Sequence, residues 1–121
     1  MSFYKRAGGG RRDASEPEVI LAFETGGASV QQLTGKDVPD LLVGYRGVNH
    51  AVEVKTNNAA LRPGQRTWRD DWRGEPPVVA RNRAQAMKWL RTWDARVPTL
   101  QDVNRAAAWK PKHAMVDEME T

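Results

Sequence analysis

The chain has 121 residues, a formal charge of +4 and no cysteine. That length suits one domain with its own core, and the missing thiols exclude a disulfide, a thiolate zinc site and a cysteine nucleophile. The pI near 9.8 and the dominance of arginine over lysine favour a polyanionic partner, because guanidinium binds phosphate bidentately. The two histidines, His50 and His113, are too separated for a metal cluster, and His50 is expected at the surface where a strand begins. No apolar run approaches the roughly 18 residues of a membrane span, and no signal-peptide pattern opens the chain. A cytoplasmic protein is expected, with no membrane partner.

In chain order, residues Met1 to Arg12 contain Lys5, Arg6, Arg11 and Arg12 without an acid and are interrupted by Gly8-Gly9-Gly10. They predict a basic arm that is either an idle terminus or an electrostatic contact along a phosphate backbone. The domain proper is expected from 13 to 96. A helix is predicted from Ser15, with Pro17 in its first turn, through Val19, Ile20, Leu21 and Phe23 to Gly26-Gly27. Ala28 to Leu33 predicts a first strand, and Pro39 to Thr56 a hairpin turning at Arg46-Gly47. A helix entered through Pro63 over Leu61 to Arg73, a short strand from Pro77 to Arg81 and an amphipathic helix from Asn82 to Trp93 complete an α-β-β-β-α-β-α order. The last helix offers Ala84, Met87, Trp89, Leu90 and Trp93 for packing. The fold class is therefore α/β, a central mixed sheet flanked by helices. Residues 97–121 predict an extension with a short helix from Thr99 and an acidic tail from Met115, with room for contact to a second subunit.

The hairpin poses a chemical question, since it keeps Asp40, Glu53 and Lys55 where apolar residues would pack. A two-residue loop at Arg46-Gly47 sets Tyr45 opposite Val48 and Asp40 opposite Glu53, with Cβ atoms about 4.5–5.5 Å apart. A four-residue loop instead sets Asp40 opposite Lys55. Parity is the same in both registers: Asp40, Glu53 and Lys55 share one face, and Leu41, Val43, Val52 and Val54 share the other. Two adjacent carboxylates repel unless a cation sits between them. Mg2+ accepts this arrangement, because it needs only one or two protein carboxylates and keeps several waters. Lys55 lies within reach of such a site, where it can orient or deprotonate a water or neutralise charge on a phosphate.

Pro39-Asp40, twelve intervening residues and Glu53-Val54-Lys55 resemble the PD-(D/E)xK nuclease signature. The surrounding "VPDLLVGYRG", "VEVKT", "LRPGQ" and "TWRDDWRG" are similar to small phage VRR-NUC and Holliday-junction-resolvase-like nucleases, over roughly Asp13 to Trp93. The resemblance implies a Mg2+-dependent DNA endonuclease, Mn2+ substituting, that leaves a 5′-phosphate; a homodimer is expected from the small size of the chain, and branched or distorted DNA from the two-fold symmetry such a dimer shares with a junction. The resemblance implies Asp40 and Glu53 as metal ligands, the Val54 carbonyl as a third, Lys55 as catalytic lysine and Gln65 as an assisting glutamine at a helix start. Arg81 would be a phosphate ligand beside the cleft. It also allows an acid of the first helix to join the metal; Glu18 has that reading and a second one, as partner of Ser15 in a capping box. Trp68 and Trp72, four apart, are expected in the core rather than as a nucleobase platform. The rival functions are an inactive nuclease fold that binds nucleic acid, and an accessory or inhibitor protein that binds a protein partner.

Overall fold

The computed structural model describes residues 12–96 together with Asn104, Ala107 and Ala108. The elements are α1 (Glu16–Thr25), β1 (Ser29–Gln32), β2 (Leu41–Tyr45), β3 (Val48–Val54), α2 (Pro63–Asp71), β4 (Val78–Ala80) and α3 (Arg83–Ala95). This is the expected order, in a small α/β domain with one four-stranded mixed sheet. Strands β1, β2 and β3 form an antiparallel meander, and β4 lies parallel to β3. A parallel neighbour requires a crossover, and α2 lies within the connection that supplies it. Lys5, Arg6, Arg11, the expected helix from Thr99 and the acidic tail fall outside the described residues. No described helix is long and apolar enough to cross a membrane.

The hairpin takes the two-residue register, with Tyr45 opposite Val48 and Leu41 opposite Val52. Arg46 and Gly47 both have positive φ, 52° and 79°, the backbone a tight type I′ turn needs. Alternation then buries Leu41, Val43, Val52 and Val54 on one face, where Val19, Ile20 and Phe23 of α1 and Ala86, Leu90 and Trp93 of α3 complete the core. Ala86 faces the core where Ala84 was expected, and Met87 is exposed. Asn82 caps α3 by accepting from the Gln85 amide at 2.9 Å, which fixes the helix start one turn from the end of β4.

His50 is a correction. Because β3 starts at Val48 rather than His50, His50 sits inside the strand on the core face. It is buried, its ring is stacked on Trp93 at 3.8 Å between centroids and 5° between planes, and its Nδ1 lies 3.1 Å from Glu75 Oε1. Burial pushes its pKa below the ordinary value, outweighing the upward pull of Glu75. The folded chain therefore holds His50 neutral where the unfolded chain begins to protonate. Its contribution to stability is complete above the unfolded pKa near 6.5 and is lost as pH falls through the folded value. His50→Phe keeps a ring on Trp93 and removes the titration. The difference in denaturation midpoint between wild type and this variant should shift in the variant's favour from pH 7.5 down to 5.5; a constant difference would contradict a neutral buried imidazole.

Candidate active site

Asp40 and Glu53 stand side by side where β2 begins and β3 ends, on the face opposite the valine core. Both are nearly closed to solvent, 2 % and 4 % exposed, an unusual condition for carboxylates unless partners hold them. Asp40 Oδ2 accepts the Val54 amide at 2.8 Å, so the strand carrying Glu53 also orients Asp40. Glu53 Oε1 accepts from Gln65 Nε2 at 2.7 Å, while Gln65 Oε1 accepts the Arg62 amide at 2.8 Å. One glutamine thus caps the first turn of α2 and fixes the glutamate. With both ends of its amide engaged, Gln65 is a positioning residue for Glu53. Lys55 directly follows β3, and its amide still pairs with the Ala80 carbonyl at 3.3 Å.

Gly64 in α2 has a steric reason. A Cβ there would lie 2.2 Å from Asp37 Oδ2, so only glycine lets that carboxylate approach the helix start, where free amides favour an anion. Asp37, Glu53, Gln65, Trp68 and Arg69 line a common indentation between the sheet and α2.

On the first helix the acid beside the site is Glu16, not Glu18. Glu18 is exposed, and its Oε2 accepts the Arg83 amide at 3.1 Å at the start of α3. It does not close a capping box either: the Ser15 amide is taken by Asp13 Oδ1 at 3.1 Å, and Ser15 itself has helical angles. Glu16 is fully buried. Its Oε2 is bonded by the Arg12 guanidinium and by Gln32 Nε2. Among the described residues its Oε1 has no hydrogen-bond partner. Burial raises its pKa most, against the donors Arg12 and Gln32, and the charge of Asp40 adds to the rise. Helical spacing carried the signal, since Glu16, Val19, Ile20 and Phe23 lie on one stripe at i, i+3, i+4 and i+7, while Glu18 and Leu21 share the exposed side.

Arg12 is a second correction. Expected in a free arm, it is 6 % exposed and donates to Glu16, to the Leu33 carbonyl at 3.2 and 3.1 Å and to the Asp40 carbonyl at 3.1 Å. The burial of Glu16 demands a cation, and Arg12 lies four residues before it. Asp13 pins the residue after Lys55, accepting the Thr56 amide at 3.0 Å and the Thr56 hydroxyl. Arg81 Nη1 donates to the carbonyls of Asn57 and Ala59 at 2.8 and 2.7 Å, tying the loop beyond β3.

Hard oxygen donors at adjacent strand positions suit a small divalent cation. Among the described residues no group of three or more His, Cys, Asp or Glu side chains is placed to hold a metal ion, so a cation at the Asp40 and Glu53 pair would take water for most of its ligands, as Mg2+ does. Trp68 and Trp72, expected in the core, are instead stacked on each other at 4.7 Å and 13°, with Trp72 52 % exposed. No protein-family model, curated protein or solved structure matches this chain.

Proposed function

We propose that this domain is a metal-dependent phosphodiesterase acting on DNA, of the PD-(D/E)xK type that its hairpin resembles. The observation that carries the reading is the buried Asp40 and Glu53 pair on adjacent hairpin strands, with Gln65 holding Glu53 and Lys55 following it. Asp40 and Glu53 would hold Mg2+ or Mn2+, with the Val54 carbonyl as a further oxygen donor and water completing the set. When bound, the ion supplies a coordinated water of lowered pKa and polarises the phosphate. Gln65 keeps the Glu53 carboxylate in one rotamer, and the Arg12–Glu16 pair steadies the backbone at Asp40. Lys55 aligns the attacking water or takes its proton, then faces the charge that develops on the phosphate. Arg81 and the basic residues before Arg12 would meet flanking phosphates.

Each chain carries one copy of the Asp40 and Glu53 pair, and two-fold dimers are the commonest oligomers. Such a dimer matches the symmetry of a branched junction, which displays paired phosphates at its crossover. A panel of four-way junction, flap, splayed arm, single strand and blunt duplex at fixed salt, beside a mass measurement in solution, tests this. Cleavage that requires Mg2+ or Mn2+, stops with EDTA and favours branched substrates is expected. No cleavage of any substrate with either ion would overturn the enzyme; equal cleavage of junction and blunt duplex by a monomer would overturn only the junction preference.

Lys55→Met separates the lysine's chemistry from structure. Turnover should fall by roughly 10²–10⁴-fold, the range for a positioned proton-transfer group. The rise in melting temperature on adding Mg2+ should persist. A variant that also loses that rise would make Lys55 part of the metal's support.

A further inference from the structure

Helix α2 carries two stripes that begin at the candidate site. Gln65, Trp68 and Trp72 follow i, i+3, i+7 spacing, and Arg62, Arg66 and Arg69 follow i, i+4, i+7 on the neighbouring stripe. The first stripe starts at the amide that touches Glu53 and runs outward as two parallel indoles 4.7 Å apart. Trp68 lines the same indentation as Glu53. Neither indole belongs to the core or packs against it, and Trp72 leaves 52 % of its surface in solvent. Its placement is nonetheless defined: Trp68 covers one side, and Nε1 sits where a Cβ on Gly74 would be 2.7 Å away.

Among the described residues the arginine stripe is held by contacts open to solvent on at least one side. Arg69 pairs with Asp70 at 3.2 Å, Arg62 lies 3.8 Å from Asp37, and Arg66 donates to the Leu61 carbonyl at 2.9 Å. Exposed pairs of this kind contribute little and exchange readily for a phosphate. Aromatic faces beside a basic track are how proteins bind unpaired nucleotides without reading sequence, because every base has a π-face. Duplex bases are already stacked on one another and offer no such face.

We propose that Trp68 and Trp72 form a stacking platform for an unpaired nucleotide adjacent to the scissile phosphate, with Arg62, Arg66 and Arg69 following its backbone. Single-stranded character, rather than base sequence, is then what the protein recognises. The position of the platform relative to the cut rests on the phosphodiesterase reading, whereas its existence is tested by binding alone.

Binding is measured by fluorescence anisotropy in EDTA at fixed salt, with a short oligothymidylate, an abasic sugar-phosphate strand of equal length and a blunt duplex. Trp72→Ala should weaken oligothymidylate binding by roughly 5- to 100-fold, the range expected for one stacked base. It should leave the duplex and abasic strand unchanged. Trp72→Phe should stay within a few-fold of wild type, and Trp72→Leu should behave as alanine does. Wild type that does not prefer oligothymidylate to the abasic strand, equal losses on single strand and duplex, or leucine as good as phenylalanine would each overturn the platform. So would a dimer that Trp72→Ala converts to monomer, since the indoles would then be a contact between copies. A wild type that cleaves nothing but passes these binding tests would fail the enzyme reading and keep the platform.

Discussion

Glu53→Gln and Asp40→Asn should each reduce metal-dependent cleavage to background while the protein without metal remains folded. Each variant exchanges one carboxylate oxygen for an amide nitrogen of the same shape. Gln65 Nε2 can still donate to the remaining carbonyl oxygen at position 53, and the Val54 amide to that at position 40. What is lost is one of two negative charges opposing a divalent ion. Removing a single preorganised electrostatic group typically costs about 10²–10³-fold in turnover, and a direct ligand should cost at least as much. Without metal the two carboxylates repel, so the variants should melt at or above the wild-type temperature in EDTA. Adding Mg2+ should raise the melting temperature of wild type, as any ligand of the folded state does, and should raise that of the variants much less. Glu18→Gln is the control: its carboxylate serves the start of α3, so cleavage should change less than twofold. Full activity in either site variant would remove the proposed centre.

Arg12→Ala should be the most destabilising of these substitutions, by about 3–5 kcal/mol, the usual result of removing one partner of a buried ion pair. Three acceptors lose a donor at once: the Glu16 carboxylate, which keeps only the neutral Gln32 amide, the Leu33 carbonyl, and the Asp40 carbonyl, which keeps the Leu33 amide. A domain of ordinary stability has only about 5–15 kcal/mol in all, so a large drop in the urea midpoint is expected. Replacing both charges, Arg12→Met with Glu16→Leu, should recover much of it, because an apolar pair of similar volume removes the desolvation penalty. A phosphate-contacting arm residue would behave differently, with unchanged stability and a flatter dependence of DNA affinity on salt.

Local rules were enough wherever neighbours in sequence are neighbours in space. Pro17 and Gly26-Gly27 bracket α1, Arg46-Gly47 defines the turn, and a period of two divides the valine face from the Asp40, Glu53 and Lys55 face. Gln65 could be placed on a helix start, but its reach to Glu53 depends on how α2 lies across the sheet. The tertiary structure alone decided the roles of Arg12, Glu16 and His50. Arg12 reads as one more cation in a basic terminus until the burial of Glu16 makes an adjacent charge obligatory. Glu16 and Glu18 differ only in which side of α1 meets the sheet, and His50 was misplaced because β3 starts two residues earlier than its apolar run. Trp68 and Trp72 failed in the opposite direction. Aromatic spacing normally marks a buried stripe, but α2 is a nine-residue helix that buries only Gln65, so Trp68 lines the indentation and Trp72 is left largely in solvent. The sequence by itself determined the order and kind of the strands, turns and helices, because those depend on propensity and period. Which charges are buried and which aromatics are left in water depended on the packing of elements distant in the chain, where the cost of desolvation is imposed.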